Sequence, residues 1–423
     1  MKSRIRIAVM LAAVFLLTGC TLTVPAEDLI SPPKLTDEQS EIYRALTNSK
    51  GMGITLKYPK AGEYRSAFVF REEKPSQGVV FYESSGLVGE PAVWLAFLEK
   101  RNGRWECTYE LSFFAMDIEK VEFSTLGDSD RENIIISYSV LSAAEKGVSV
   151  VAFSDEGVPE EVYRLDNCLY YEINDFNKEN HNSLFIIRQD RAARLSEAYV
   201  AAWSEDKFVT LGRTELNPDA VEYLKIIPGF VREEVPALFI EYLRADNSCN
   251  TSVISWVGSR LNNSVYTENE QLREENLILL DKRPNSNTTH AYSRDVTGDG
   301  IIEVGGNADF PGYDLAVSMQ ERVRAVIWYN INSSDRLIRL CYSYLSVNND
   351  YIFIFPDEWV GSVTVTVSHD GNEVIFWEYN PDFESVHDVT TQLFSITTLK
   401  DTVIEVFNDS LSVDELYERL IIF

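Results

Sequence analysis

The chain has 423 residues, 66 of them Asp or Glu and 38 Lys or Arg, giving a net charge of −28 at pH 7. So acidic a surface repels nucleic acid and anionic lipid headgroups, and excludes both as partners of the folded body. With 45% hydrophobic and 12% aromatic residues the chain can fill a core, so the charge belongs to a globular surface and not to a disordered acidic tail.

The first residues carry Lys2, Arg4 and Arg6, then the apolar run Ile7 to Leu17, then Leu17-Thr18-Gly19-Cys20. That run is too short for the roughly twenty residues that cross about 30 Å of hydrocarbon. Basic start, apolar middle and small residues before a cysteine resemble a bacterial lipoprotein signal peptide. The resemblance implies export, removal of residues 1–19 and lipidation of Cys20, with the chain held at the outer face of the cytoplasmic membrane. The remaining chain would carry 35 basic and 66 acidic residues, a net charge of −31. Cations, neutral glycans and basic peptides suit it as partners. Four further cysteines, Cys107, Cys168, Cys249 and Cys341, form no CxxC pair and read as small buried strand residues. Export would permit disulfides, but the spacing does not demand them.

Residues 20–57 read as a lipidated tether and a short helix. In "LTDEQSEIYRALTNSK" Thr36 and Gln39 form a capping box, and Ile42, Tyr43 and Leu46 supply an apolar stripe. "SPPK" at Ser31 imitates a nucleophilic SxxK pair, but that motif needs helical geometry and here lies in a proline-containing tether. From Tyr58 the helical period disappears. Short aromatic and β-branched runs, broken by Gly, Asp, Asn and Ser, predict an all-β domain over 58–345. One unit recurs five times, with first strands at Gly78, Ile134, Leu184, Ala237 and Ile301 and partner strands at Val93, Val148, Ala198, Ser252 and Arg324. The first-strand starts are 56, 50, 53 and 64 residues apart. A period of that size suggests β-propeller blades, about five to seven of them.

The fifth unit is entered through "RDVTGDGIIEV". Asp295, Thr297, Asp299 and Glu303 stand at positions 1, 3, 5 and 9, Gly298 and Gly300 permit tight turns, and Ile301 offers a main-chain carbonyl at position 7. That is the ligand order of a compact calcium loop, in which a cation reconciles carboxylates that otherwise repel. Without the ion the same residues make a glycine-rich turn. Here the chain resembles the FG-GAP/VCBS repeat family, and in particular Gram-positive lipoproteins built from such repeats, over Tyr58 to Tyr344. The resemblance implies a propeller whose calcium loops lead into strands, with Asp295, Thr297, Asp299 and Glu303 inheriting ligand roles. "DFNKENHNS" keeps Asp175, Asn177 and Glu179 but has Ser183 at position 9, a weaker metal candidate. "TLGDSDREN" offers Thr125, Gly127, Ser129 and Asn133, so every expected carboxylate is missing, and the loops near Pro75 and Gly229 keep no pattern.

Residues 346–423 read as a small C-terminal α+β cap or a final blade. They hold further strands, a hairpin turn at His369 to Asn372, and "SVDELYERLIIF" as a closing helix with Ser412 and Glu415 as capping box. No nucleophile elbow, HExxH, Walker loop or GxGxxG is present. His181, His290, His369 and His387 share no metal spacing. The reading is a lipid-anchored, extracytoplasmic binding or scaffolding protein whose extracellular ligand is a glycan, a cell-wall component or a protein. The alternative is a cell-surface polysaccharide hydrolase or lyase using propeller-channel carboxylates.

Overall fold

The computed structural model describes residues 35–50, 53–71, 74–84, 92–140, 146–154, 157–176, 180–258, 260–283, 291–313, 317–318, 321–368, 371–383, 385–398, 404–408 and 413–423. Cys20, Ser31, His290, His369 and Ser412 lie outside them. The fold is mainly β, built of antiparallel sheets. No described helix is long and apolar enough to cross a membrane.

Two compact units result, one holding residues up to 58 with 66–114, the other 59–65 with 115–423. In the first unit, α1 (Asp37–Lys50) precedes β1 (Ile54–Leu56), β2 (Phe68–Phe70), β3 (Gln77–Ser84), β4 (Ala92–Arg101) and β5 (Arg104–Phe114). The strands pair in the order β1-β3-β4-β5, and β2 also pairs β3. The capping box forms as expected: Thr36 N–H donates to Gln39 Oε1 at 3.0 Å and Gln39 N–H to Thr36 Oγ1 at 3.2 Å. Ile42 and Leu46 of the helical stripe pack with Phe68, Val80, Tyr82, Ala96 and Leu98 of the sheet.

Among its described residues the second unit contains five sheets. The first comprises β6 (Asp117–Thr125), β7 (Glu132–Ser139), β8 (Lys146–Phe153) and β9 (Pro159–Asp166), and the second β10 (Cys168–Asn174), β11 (Ser183–Asp190), β12 (Leu195–Ser204) and β13 (Lys207–Glu215). The third comprises β14 (Ala220–Arg232), β15 (Val235–Arg244), β16 (Cys249–Val257) and β17 (Arg260–Asn263), followed by α2 (Glu270–Leu279). The fourth holds β18 (Val304–Asp309), β19 (Arg324–Ile331), β20 (Leu337–Ser346) and β21 (Tyr351–Ile354). The fifth holds β22 (Val363–Val367), β23 (Glu373–Glu378), β24 (Gln392–Thr398) and β25 (Ile404–Asn408). After α3 (Val413–Tyr417), the strand β26 (Leu420–Ile422) returns to pair with β21.

The five recurring strand pairs are β3/β4, β7/β8, β11/β12, β15/β16 and β18/β19, each hydrogen-bonded neighbours. In the second unit these central strands are buried on both faces, which is why they read as continuous apolar runs. Along β11, Leu184 and Ile186 pack with Ile135, Val148 and Val150 of the preceding sheet. The intervening Phe185 and Ile187 pack with Leu238, Ile240 and Ile254 of the following one. Phe239 and Val253 then meet Val304, Tyr329 and Ile331 of the fourth sheet. Tyr344 and Phe353 of the fourth sheet meet Phe376 and Phe394 of the fifth. The second and third sheets therefore spend one side-chain parity on the preceding sheet and the other on the following one.

Three local expectations are corrected. A helix, α2, interrupts the β region, started by Asn269, whose side chain accepts from Leu272 N–H at 3.1 Å, and anchored by buried Leu272 and Asn276. The closing helix stops at Tyr417 and the last residues become β26, because β21 offers an edge that backbone hydrogen bonds can complete. The fifth first strand starts at Val304, not Ile301, so the whole acidic motif is loop. Cys107, Cys168, Cys249 and Cys341 are free thiols. Burial pushes Cys168 and Cys341 up to about 12 and Cys249 to about 11, which keeps them protonated and unreactive.

Candidate calcium loop and a buried ion pair

Two backbone hydrogen bonds between Arg294 and Glu303, 3.1 and 2.9 Å long, pinch the base of the loop. Within it, Gly298 (φ 77°) and Gly300 (φ 85°) adopt the left-handed backbone that glycine tolerates without cost. Asp295 Oδ1 accepts from Gly298 N–H at 2.6 Å and Oδ2 from Gly300 N–H at 2.9 Å. Asp299 Oδ1 accepts from Ile301 N–H at 2.8 Å. Thr297 and Asp299 are exposed, whereas Glu303 is wholly buried at the strand entrance. Glu303 Oε2 accepts from Val296 N–H at 2.7 Å, and its Oε1 is buried without a partner. Burial raises the Glu303 carboxyl to about 7; the Val296 N–H works against the rise, and the carboxylates of Asp299 and Asp295 add to it.

The related loops show what position 9 does. In the first sheet it is Asn133, fully buried, whose Nδ2 donates to the carbonyl of Ser124 at the end of β6 at 3.0 Å and to that of Arg131 in the loop at 2.9 Å. Its Oδ1 accepts from Trp203 Nε1–H of the second sheet at 2.9 Å. Gly127 of the same loop lies so close to Trp203 that an added Cβ would meet its carbonyl oxygen at 2.1 Å. An amide thus holds the loop that lacks carboxylates, a role its sequence does not announce. In the weaker candidate, Asn177 and Glu179 lie outside the described residues. Asp175 repeats the link from position 1 to position 6, its Oδ2 accepting from Asn180 N–H at 2.9 Å with Asn180 at φ 65°. Ser183 at position 9 is buried.

Asp295, Asp299 and Glu303 are joined by loop geometry, but no group of three or more His, Cys, Asp or Glu is gathered around one metal position among the described residues. The oxygen-only donor set and the unsatisfied Glu303 Oε1 nevertheless fit a hard cation. Such an ion would supply the charge that the buried carboxylate lacks, with Asp295, Thr297, Asp299, Glu303 and the Ile301 carbonyl as the residues available to hold it.

A second polar site is assembled from residues far apart in the chain. Glu241 on β15 and Lys282 after α2 are both wholly buried, with Lys282 Nζ 2.8 Å from Glu241 Oε2. Lys282 also donates to Thr251 Oγ1 at 3.0 Å and the Ala291 carbonyl at 3.2 Å, so its three protons are satisfied. Glu241 Oε1 accepts from both the N–H and the hydroxyl of Ser293, each at 2.7 Å. Burial by itself would strip the lysine proton, but the Glu241 carboxylate outweighs it and holds the ammonium above its ordinary range. Neither side chain reaches solvent, so the pair is a structural clamp: it ties the third sheet to the segment that enters the Asp295 loop. His181 and His387 are exposed and belong to neither site.

No family model and no curated protein matches the sequence. Among solved structures the chain is similar to a rhamnogalacturonan lyase from Bacillus licheniformis, at 9% identity over 82% of this chain and 77% of that one, with a TM-score of 0.28. Sqt1 from Chaetomium thermophilum aligns at 9% identity over 81% and 96%, also with a TM-score of 0.28. A hypothetical selenium-binding protein from Sulfolobus tokodaii aligns at 10% identity over 77% and 74%, again at 0.28. Superpositions at that level transfer neither fold nor chemistry.

Proposed function

We propose that the protein is a lipid-anchored, extracytoplasmic binding or scaffolding module of Gram-positive lipoprotein type, built as a degenerate FG-GAP/VCBS-like β-propeller and steadied by calcium at Asp295 to Glu303. The observation that carries the propeller reading is the alternation along the central strands: odd and even residues belong to two different sheet interfaces, the packing that successive blades require. Within residues 346–423, β22 to β25 enter it as a final four-stranded blade, while β21 and β26 extend the sheet before it. Calcium is supported by the contrast at position 9, where Asn133 satisfies its own loop and Glu303 leaves Oε1 unpartnered. The anchor rests on Leu17 to Cys20.

Binding is preferred to catalysis because the buried ionisable groups of the two sites described above are sealed. Glu303, Glu241 and Lys282 have no solvent exposure, so no substrate reaches them. The test is a glycan and peptidoglycan array probed with the intact protein in detergent, with product analysis on the same samples. Retention without cleavage supports a binding module, and turnover of any arrayed polysaccharide replaces that reading with an enzyme.

A further inference from the structure

Between the outer strands β13 and β17 of the second and third sheets lies a cavity of about 440 Å³. Its lining is polar and unusual for so acidic a protein. Arg213 and Arg260 both line it, both are exposed, and neither guanidinium has a hydrogen bond or ion pair among the described residues. The half-buried ring of Tyr266 forms another wall, with the Arg273 guanidinium 4.8 Å over its centre. Glu197, Glu215 and Glu268 complete the charged lining.

We propose that this cavity binds a carboxylated saccharide, a uronic-acid unit of an anionic glycan. The inference rests on the binding-module reading and names its ligand class, but shares no residue with the Asp295 loop. The chemistry selects among ligands. A neutral sugar would leave the Arg213 and Arg260 guanidinia without a counter-charge, whereas a carboxylate accepts their N–H groups in charge-assisted, bidentate geometry. A bare inorganic anion would meet Glu215 and Glu268 with nothing to offer them, whereas sugar hydroxyls donate to those carboxylates. The Tyr266 ring supplies the apolar face against which a pyranose packs. The volume suits one or two sugar rings and lies toward the lower end of the roughly 300–1,000 Å³ of small-molecule pockets.

The test is calorimetric titration of the full chain with trimers of galacturonate, glucuronate and mannuronate, each beside its methyl ester, which keeps the ring and hydroxyls but removes the charge. At least one trimer is expected to bind, its ester about ten-fold more weakly or not at all, and Arg213→Gln/Arg260→Gln to lose about ten-fold in affinity with an unchanged melting temperature. Tyr266→Ala should weaken binding of acid and ester alike. No binding by any trimer, equal binding of acid and ester, or full affinity in the double arginine variant overturns the proposal. A calcium-dependent thermal shift that survives such a failure leaves the calcium-steadied module standing, so the two readings fail separately.

Discussion

Replacing Lys282 by Met should be among the most damaging single changes in the second unit. The substitution keeps volume but leaves the Glu241 carboxylate wholly buried, with Thr251, Ser293 and the weak Cys249 thiol as its remaining donors. Removing one partner of a buried pair costs about 3–5 kcal/mol because the other charge stays uncompensated. In a body this size that is a fall in Tm on the order of 10 °C. Glu241→Leu alone should cost a similar amount by orphaning the ammonium. The double variant Lys282→Met/Glu241→Leu should regain most of the loss, since an apolar pair of similar volume avoids the desolvation of both ions. Equilibrium urea unfolding of the four proteins gives the cycle. Singles costing under about 1 kcal/mol, or a double variant equal to the sum of the singles, would refute the clamp. A pH arm adds a sign check. The folded lysine holds its proton above the unfolded value, so its contribution is complete below the unfolded pKa and is lost as pH rises through the folded one. Wild-type stability should therefore fall on the alkaline side relative to Lys282→Met.

Calcium at roughly 10⁻³ M and above should raise the wild-type melting temperature by an amount equivalent to about 1–3 kcal/mol, and Asp299→Ala should lose most of that gain in calorimetry; equal shifts place the ion elsewhere. With calcium chelated, Glu303 predicts the opposite pH trend to ordinary carboxylates. Its folded pKa of about 7 exceeds the ordinary carboxyl value of 4.5, so its stabilising contribution is full below 4.5 and lost as pH rises through 7. Thermal melts of wild type against Glu303→Gln between pH 4.5 and 7.5 should diverge by about 2–4 kcal/mol, and parallel curves would dismiss the shift. Cys20→Ala should release the protein from the membrane fraction; a variant still acylated and membrane-bound defeats the anchor reading.

The strand pairs were legible because they are local: β-branched and aromatic runs such as "LFII" at Leu184 announce extended backbone whatever surrounds them. The first helix was legible for the same reason, its cap and stripe falling within one short segment. The second helix was hidden by composition, since "NEQLREEN" is charged on most faces and only Leu272 and Asn276 are buried on it. The Glu241–Lys282 clamp spans 41 residues and two element types, and only an acid within an apolar strand hints at it. Asn133 was invisible as a loop-holding group because its role depends on Trp203, 70 residues on. At Asp295 to Glu303 the sequence indicated which residues share a loop, but not that Glu303 is buried and half-satisfied while Asp295 folds onto the loop's own N–H groups.

The division of labour along β11 has a consequence for how such a chain diverges. Leu184 and Ile186 answer to one neighbouring sheet, and Phe185 and Ile187 to the other. A deep mutational scan across this strand should therefore resolve into two interleaved tracks. A loss on the even track is rescued by changes one repeat upstream, and a loss on the odd track by changes one repeat downstream. Inserting a single residue would exchange the tracks and spoil both interfaces at once. Lineages built this way can rewrite loops, ligands and outer strands freely while each inner strand stays tied to two partners, so drift in one repeat must be negotiated with its neighbours on both sides.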